Sequence, residues 1–460
     1  MFTNVYEIFV ASFNDSNGDH YGDLKGIIER LDYIKYLGND AIWLMPINPS
    51  DTYHKYNIDD YYDIDSLYGT LDDFKLLIKE AHKRNISIII DLVINHTSNT
   101  HMWFKECFKA HKTNDYNNKY YDYYNFGSEK LDGYVNVDGL YYEARFGERM
   151  PDLNLDNINV RNEISNIINF YNNIGVDGYR LDAVTSYYTN DYQKNSEFLN
   201  FLRSVAKDKY IVGEAWTHFN ELKHYYNGYG SLFSFYLSDA LILSIRTEDV
   251  TYVKAYLDKL TSISKEIPLA NFISNHDTNR AASLIEAKFP KRVKLLYGIC
   301  GMIPGILYSY YGDEIAMIGE GNDPNRRIPI LWGEKDDLNA PDHTTDIKYV
   351  YPSVKEQVNN SESILHYYRN INHFRINNKH IFNSNFKVYG ICDNKVMVID
   401  YMNSYKAYIN LSEFKNELDI LNEILIEEIT VDNKSTLTNN KLIINGYSIV
   451  IMKIRGELNG

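Results

Sequence analysis

The chain has 460 residues, of which 44% are hydrophobic and 24% are charged, and its formal net charge is −15. This length is too great for one small domain, but it can hold an α/β barrel of ~250 residues together with further domains. The negative charge opposes binding to nucleic-acid phosphates and to anionic membranes, so we expect neither nucleic acid nor a membrane as a partner.

Eight short apolar runs, separated by amphipathic segments, occur between residues 5 and 314. Residues 71–81, between the second and third runs, carry apolar side chains at helical spacing. Alternating strands and helices predict a parallel sheet, and eight such units predict a (β/α)8 TIM barrel. The runs are VYEIFVASF (5–13), AIWLMP (41–46), ISIIIDLVINH (86–96), VDGYRLDAV (176–184), YIVGEAW (210–216), SLFSFYL (231–237), ANFISNHD (270–277) and GILYSYYGDE (305–314).

Two regions interrupt this alternation and predict further domains. Residues 97–155 are rich in Tyr, Asn and Asp and show no clear helical repeat, which predicts a small domain inserted after the third strand. After residue 377 the pattern changes to short alternating strands such as FKVYGICD and KVMVIDYM. We therefore predict a catalytic barrel of residues 1–96 and 156–377, and a C-terminal all-β sandwich domain of residues 378–460.

Charged residues occur within the apolar runs, at the predicted carboxyl ends of the strands where barrel enzymes hold their catalytic groups. Arg180 and Asp182 are two residues apart on one strand and therefore share a face. A neighbouring guanidinium is expected to lower the pKa of Asp182 and make it a nucleophile, the alternative being a structural ion pair. Glu214, between apolar neighbours, is expected to stay protonated as a general acid. Paired carboxyl groups of this kind are suited to glycoside hydrolysis.

Five motifs in this chain resemble those of glycoside hydrolase family 13, the α-amylase family, and four of them follow the family's order. These four are DLVINH (91–96), GYRLDAV (178–184), GEAW (213–216) and FISNHD (272–277), and the fifth, MPDLN (150–154), precedes the fourth strand. The resemblance implies a retaining double displacement through a covalent glycosyl-enzyme. In that reaction Asp182 would be the nucleophile, Glu214 the general acid/base, and Asp277 the carboxylate that stabilises the oxocarbenium-like transition state.

The resemblance also implies a set of substrate contacts around the scissile bond. The segment YHKYNIDDYY (53–62) is similar to the family's loop after the second strand, and DPNRRIP (323–329) to a loop after the eighth. The alternatives are a buried tyrosine at the barrel mouth and a surface charge pair, respectively. The residues implied as substrate contacts are His54, Tyr56 (as a stacking platform), His96, Arg180, His276, Asp323 and Arg327.

The segment DSNGDHYGD (15–23) predicts a structural calcium ion, because hard oxygen ligands at alternating positions suit Ca²⁺. It resembles the loop after the first strand in the oligo-1,6-glucosidase branch of the family, the alternative being a solvated Asx-rich turn. Thr185 and Ser186 stand where many family α-amylases have Lys-His, so a second calcium between barrel and insertion is left open. The expected ligands are Asp15, Asn17, Asp19, the Tyr21 carbonyl and Asp23.

The expected activity is α-amylase-like cleavage of α-1,4-glucosidic bonds in starch-like glucans or maltooligosaccharides. Ala183 follows the nucleophile, as in many α-1,4-acting relatives, whereas the calcium loop favours the alternative of an exo-acting α-glucosidase or oligo-1,6-glucosidase. A glucanotransferase is a third alternative, since transfer and hydrolysis differ only in what intercepts the intermediate. All three expected carboxylates are present, which argues against a non-catalytic sugar-binding relative.

The N-terminal sequence and the cysteines bear on the cellular compartment. No positively charged segment precedes an apolar core, so no signal peptide is predicted. Cys107, Cys300 and Cys392 are odd in number and widely spaced, which predicts neither a disulfide framework nor a CxxC metal site. We expect a cytoplasmic protein, with secretion after loss of a leader as the alternative; the pattern predicts no oligomeric state.

Overall fold

Eight parallel strands form a closed barrel, and the predicted (β/α)8 architecture is therefore confirmed. Each strand neighbours the next in chain order, and the eighth returns to the first. This order brings the carboxyl ends of all eight strands to one face of the barrel. The strands β1 to β8 are Asn4–Ile8, Ala41–Leu44, Ser87–Leu92, Gly178–Leu181, Tyr210–Gly213, Ser231–Phe233, Leu269–Asn271 and Ile306–Tyr310.

The computed structural model describes residues 2–226, 230–264, 268–285, 289–334, 336–402, 405–420, 423–429, 434–438 and 440–454. Within these ranges no helix is both long and apolar enough to cross a lipid bilayer. The α-helices are Leu24–Tyr36, Leu71–Lys83, Met102–Thr113, Ile158–Ile174, Tyr192–Ala206, Phe219–Leu222, Phe235–Thr247, Thr251–Ser264, Ala281–Leu284, Pro290–Met302, Val354–Val358, Ile364–Asn377 and Lys379–Phe382. Short 3-10 helices span Val10–Ser12, Lys223–Tyr225, Asp313–Ile315 and Asp323–Arg327.

The helix Leu71–Lys83 illustrates how local sequence produces these elements. Thr70 caps its first turn by accepting a hydrogen bond from the backbone N–H of Asp73, whose side chain accepts one from the Thr70 N–H in return. This reciprocal capping box satisfies two backbone donors that a helix start otherwise leaves unpaired. The apolar face that packs inward is formed by Phe74, Leu77, Ile78 and Ala81.

The sixth apolar run divides between two elements, which the sequence analysis did not separate. Strand β6 ends at Phe233, and the helix Phe235–Thr247 begins two residues later. Phe235 and Leu237 of the helix are buried, and so is Leu232 of the strand. A short, mostly apolar run such as SLFSFYL fits a buried strand and a buried helix start equally well, so periodicity could not place this boundary.

The insertion contains a helix, Met102–Thr113, which the sequence analysis missed. Its buried face consists of Trp103, Phe104, Cys107 and Ala110. Three short antiparallel strands, Phe126–Gly127, Leu140–Glu143 and Tyr134–Val137, pair in that spatial order beside it. The Tyr, Asn and Asp residues around the helix obscured its apolar repeat.

Two antiparallel sheets form the C-terminal part of the described chain, as the alternating pattern predicts. In spatial order, the larger has the strands Phe386–Ile391, Val396–Tyr401, Tyr405–Asn410, Ile449–Ile454 and Glu423–Ile429. The smaller has Asn416–Asp419, Lys441–Ile444 and Thr436–Thr438. Residues of both sheets, such as Val398 and Leu442, share one buried apolar cluster, as in a sandwich.

The chain groups into two compact units, and barrel strands occur in both. One unit comprises Met1–Phe13, Arg30–Ala41 and Phe233–Gly460, and the other comprises Asn14–Glu29 and Ile42–Leu232. The first contains β1, β7, β8 and the C-terminal strands, and the second contains β3, β4, β5 and the insertion. The boundaries predicted from the sequence, at residues 97, 155 and 378, stay predictions.

Candidate active site

Arg180 lies at the centre of a buried ionic cluster at the carboxyl ends of β3, β4 and β5. Its Nη1 atom is 2.9 Å from Asp91 Oδ1 and 2.5 Å from Asp182 Oδ1, and its Nη2 atom is 2.9 Å from Glu214 Oε2. The register explains the first contact, because Asp91 on β3 pairs directly with Arg180 on β4. The side chain of Arg180 is only 1% exposed. These four residues are called the Arg180 cluster below.

A sharp backbone turn follows Asp182 and connects it to Glu214. Ala183 has a φ of 48°, in the left-handed region that residues with a side chain seldom adopt. The turn directs the Ala183 N–H toward Glu214 Oε2 at 2.9 Å. The same carboxylate oxygen thus accepts hydrogen bonds from a guanidinium and from a backbone amide, and its position relative to Asp182 is set by the turn.

The pKa of Asp182 is shifted in the direction opposite to the one predicted from the sequence. Burial has the largest effect and raises the pKa of Asp182; Arg180 acts to lower it, whereas Glu214 and Asp91 raise it further. The net direction is well above the ordinary value, so the predicted lowering by Arg180 is present but is outweighed. Three carboxyl groups around one guanidinium favour retention of a proton within the cluster, which is what an acid–nucleophile pair requires.

His96 lies in the same unit as this cluster, and no acidic group of the described residues contributes to the pKa of its ring. Burial lowers its pKa to about 4, so the imidazole is neutral at neutral pH. Neither ring nitrogen has a hydrogen-bond partner among the described residues, although the side chain is buried. The half-exposed ring of Phe146, from the insertion, lies 5.2 Å from the His96 ring. A buried polar ring with unsatisfied nitrogens is suited to hydrogen bonding with a ligand hydroxyl.

The predicted stacking platform, Tyr56, is half-buried next to the Arg180 cluster. Its hydroxyl donates to Asp91 Oδ2 at 3.1 Å, and its ring lies 5.8 Å from the Arg180 guanidinium carbon. His54 accepts the Tyr56 backbone N–H at Nδ1, at 3.1 Å, and the two rings are 5.9 Å apart. The structure therefore brings His54, Tyr56 and Arg180 together, and the roles of these residues and of His96 in substrate contact stay predictions.

A second group of predicted site residues lies in the other unit, after β7 and β8. Asp277 Oδ2 is 3.0 Å from His276 Nε2, and Asp277 Oδ1 is 3.4 Å from Arg327 Nη2. Arg327 Nη1 is in turn 3.0 Å from Asp323 Oδ2. The carboxylate of Asp277 is thus held between two cationic side chains, while about a quarter of it remains exposed. His276, Asp277, Asp323 and Arg327 are called the Asp277 group below.

Glu7 on β1 is a site residue that the sequence analysis did not single out. Its Oε1 atom is 2.5 Å from His276 Nδ1 and 3.4 Å from the His276 backbone nitrogen. Its side chain is 1% exposed. The signal that identified Arg180 and Asp182, a charge within an apolar strand, is also present in VYEIFV.

The predicted calcium loop folds its acidic side chains onto its own backbone. Asp15 Oδ1 accepts the N–H groups of Asn17 and Gly18, at 2.8 and 2.7 Å, and Asp15 Oδ2 accepts that of His20 at 2.8 Å. Burial acts to raise the pKa of Asp15, but these backbone donors outweigh it and lower the pKa. Asp23 caps the following helix by accepting the Gly26 N–H at 2.7 Å.

A polar cavity of about 260 Å³ lies next to Asn95, where the second calcium was left open. Asn95 Nδ2 donates to Asp152 Oδ1 at 3.1 Å, and the Arg145 backbone N–H donates to Asp152 Oδ2 at 3.4 Å. Arg145 also places its Nε atom 2.8 Å from Glu143 Oε1. A guanidinium of the chain itself therefore supplies positive charge in this cavity, and we assign no metal to it.

Comparison with known proteins gives one consistent relationship over nearly the whole chain. The family model for the α-amylase catalytic domain matches residues 7–384. α-Amylase 3 of Dictyoglomus thermophilum is 36% identical, over 98% of this chain and 92% of that protein. A 4-α-glucanotransferase of Thermotoga neapolitana is 29% identical, over 94% of this chain and 99% of that protein. The solved structure of Eubacterium rectale Amy13B superposes with a TM-score of 0.93 at 33% identity, covering 99% of this chain and 96% of that one.

Proposed function

Because the chain belongs to the α-amylase family of glycoside hydrolases, we propose that it cleaves α-1,4-glucosidic bonds in starch-like glucans or maltooligosaccharides with retention of anomeric configuration. The observation that carries this proposal is the Arg180 cluster, in which two carboxyl groups beside one guanidinium can act as nucleophile and acid. The similarity to an α-amylase over almost the full length favours the α-1,4 bond.

In the first step, Asp182 attacks the anomeric carbon while Glu214 donates a proton to the departing glycosidic oxygen. The glycosidic bond breaks with its electron pair on that oxygen, and a covalent glycosyl-enzyme forms. In the second step, Glu214 takes a proton from water, and the water oxygen displaces Asp182 from the anomeric carbon. Asp277, held as an anion by the cations on either side of it, stabilises the positive charge that develops on the sugar ring.

The remaining predicted contacts would hold the sugar for these steps. His96 is neutral, so each ring nitrogen can serve a sugar hydroxyl, one as donor and the other as acceptor. Tyr56 offers a partly exposed ring for stacking, oriented by its hydrogen bond to Asp91. Both terminal nitrogens of Arg180 contact carboxylates, which supports a role in orienting Asp182 and Glu214, while its contact with substrate stays an expectation.

The alternative activities share these two steps and differ in what enters or leaves the cleft. An exo-acting α-glucosidase or oligo-1,6-glucosidase would release single glucose units. A glucanotransferase would pass the glycosyl group to a sugar hydroxyl in place of water, and the similarity to a 4-α-glucanotransferase keeps this alternative open. A cytoplasmic location is compatible with the three free cysteines and stays a prediction.

We also propose that the loop 15–23 holds a structural calcium ion. Asp15 Oδ2, Asn17 Oδ1 and Asp19 Oδ1 each accept one backbone hydrogen bond and so retain a second lone pair, and oxygen donors of this kind suit Ca²⁺. Asp23 would have to bind the ion while keeping its bonds to Gly26 and Ser16. The ion would order the start of the helix Leu24–Tyr36 and would take no part in the chemistry.

The experiment that tests the activity is a time course of products from maltoheptaose, isomaltose and soluble starch. Mixed short maltooligosaccharides, appearing early and first in the α-anomeric form, are the expected result. Glucose released one unit at a time, or cleavage of isomaltose, would move the assignment to the exo-acting branch. Products longer than the starting maltoheptaose would identify a glucanotransferase.

A further inference from the structure

Glu7 is a buried carboxylate that the two-step mechanism does not use. It lies on β1 between apolar residues, and all five residues of that strand are buried. A buried carboxylate is costly unless a charged or hydrogen-bonding partner compensates for its lost hydration. In this protein that partner is His276.

The His276 ring lies between two carboxylates and contacts one through each nitrogen. Nδ1 is 2.5 Å from Glu7 Oε1, and Nε2 is 3.0 Å from Asp277 Oδ2. A carboxylate can only accept, so two such contacts require a hydrogen on both ring nitrogens, which is the imidazolium form. Burial acts to lower the pKa of His276, but Asp277 and Glu7 outweigh it and raise the pKa to about 10.

The other charged and titratable groups near this ring also belong to the β1, β7 and β8 side of the barrel. Arg327 donates to the His276 carbonyl oxygen from Nη2 at 3.3 Å and contacts Asp277. Tyr310 and Asp313, at the end of β8, are close enough to Glu7 for its charge to raise the pKa of each, although burial is the larger cause for both. Glu7 and Asp277 bind the two imidazole nitrogens directly.

We propose that Glu7 is a positioning residue for the glycoside-cleaving site, which keeps His276 doubly protonated and thereby fixes the orientation and charge of Asp277. The inference rests on the proposed function, in which Asp277 stabilises the transition state. With Glu7 in place, Nε2 of His276 is a donor at neutral pH, so it holds Asp277 Oδ2 and favours the ionised form of Asp277. Without the Glu7 charge, the ring can lose a proton near neutral pH, and Nε2 can become an acceptor that repels Asp277.

The test is the variant Glu7→Gln, which keeps the size of the side chain and an oxygen that can accept from Nδ1. Removing the charge is expected to lower the pKa of His276 by about one to three units. Below that pKa the variant should approach wild-type kcat; above it, kcat should fall by about tenfold or more, while KM changes less. Histidine-selective ¹⁵N labelling, with NMR spectra recorded from pH 5 to 10, reports the His276 titration directly.

Glu314→Gln is the matched control. Glu314 is a second buried carboxylate at a strand end, but it accepts hydrogen bonds from Tyr6 and Tyr33 and does not contact His276. This variant should keep the wild-type pH profile and His276 titration even if its melting temperature falls.

Two results would overturn the proposal. One is a Glu7→Gln protein whose His276 titration and pH profile match the wild type. The other is a variant that loses activity equally at every pH with a normal His276 titration, because that pattern indicates general damage to the fold. The NMR titration needs no turnover, so a wild-type protein that cleaves no glycoside would count against the proposed function and leave the role of Glu7 separately measurable.

Discussion

Burial and the neighbouring carboxyl groups Glu214 and Asp91 favour the neutral form of Asp182, whereas the proposed chemistry needs its ionised form as the nucleophile. Asp182→Asn removes the nucleophile and keeps a group that can accept from Arg180, so we expect kcat to fall on the order of 10³-fold or more. The unfolding free energy should change little, because asparagine keeps the size of the side chain and its hydrogen bond from Arg180. Rates on maltoheptaose and thermal melts measure the two effects. Near-wild-type hydrolysis by a preparation free of contaminating amylase would remove the assignment.

Glu214 is assigned a proton transfer, whose importance depends on the leaving group. We expect Glu214→Gln to lower kcat on maltoheptaose by about 10²–10⁴-fold, because the departing sugar oxygen then leaves unprotonated. Cleavage of the first bond in a 2,4-dinitrophenyl glucoside should be much less affected, since that phenolate leaves without a proton. Pre-steady-state release of dinitrophenol measures this step. Equal losses on both substrates would argue for a structural role of Glu214.

Asp313 is a buried carboxyl group outside the proposed chemistry that should influence stability. Burial raises its pKa to about 7, despite the opposing effect of Arg280. The folded protein therefore holds a proton between about pH 4 and 7 that the unfolded chain has released, so this group's stabilisation is greatest at low pH and is lost as pH rises. In the wild type, this proton contributes about −1.4 kcal/mol per pH unit to the slope of the unfolding free energy against pH over that range. Asp313→Asn should remove this contribution, so its slope should be less negative by the same amount.

Denaturant unfolding at several pH values measures this slope. Asp258→Asn, at a half-exposed residue in an ion pair with Lys254, is the control and should leave the slope close to that of the wild type. An unchanged slope in Asp313→Asn would mean that Asp313 is ionised in the folded protein throughout this range.

Helix capping is a contribution at the scale of one element that can be isolated from the site. Thr70→Ala removes the side-chain oxygen that accepts the Asp73 N–H at the start of Leu71–Lys83. We expect a loss of about 1 kcal/mol in unfolding free energy, because the Asp73 N–H then has only water as a hydrogen-bond partner. Thr70→Ser keeps the oxygen and should restore most of the loss. If alanine and serine variants prove equally stable, the cap does not contribute.

At the same scale, the elements differ in how readily their sequences identified them. Helix Leu71–Lys83 has a regular apolar face, so the spacing of its apolar residues predicted its position. The helix Met102–Thr113 has a comparable buried face, but it lies among aromatic and polar residues that do not follow one period. The end of β6 was placed too late because the next helix starts with apolar residues. Element boundaries within apolar runs depend on packing, which local sequence does not contain.

Calcium binding belongs to the scale of the whole molecule, because an ion that binds only the folded protein stabilises it by mass action. We expect a chelator to lower the melting temperature while leaving activity in the cold nearly unchanged. The double variant Asp15→Asn with Asp19→Asn should have the lower melting temperature without chelator and no further response to it. Asp208→Asn, at an exposed residue of the same unit, should respond as the wild type does. A wild-type melting temperature that changes neither with chelator nor with added Ca²⁺ would contradict the proposal.

The sequence by itself determined the barrel and the chemistry class, because both depend on patterns that repeat along the chain. Eight apolar runs alternating with helices specify the fold, and charges inside those runs mark the strand ends where catalytic groups gather. Only the tertiary structure decided which groups touch. The turn at Ala183 that directs an N–H to Glu214, the effect of Glu214 and Asp91 on the pKa of Asp182, and the pairing of Glu7 with His276 each join residues distant in sequence. Such contacts follow from barrel closure and strand register, which no local pattern encodes.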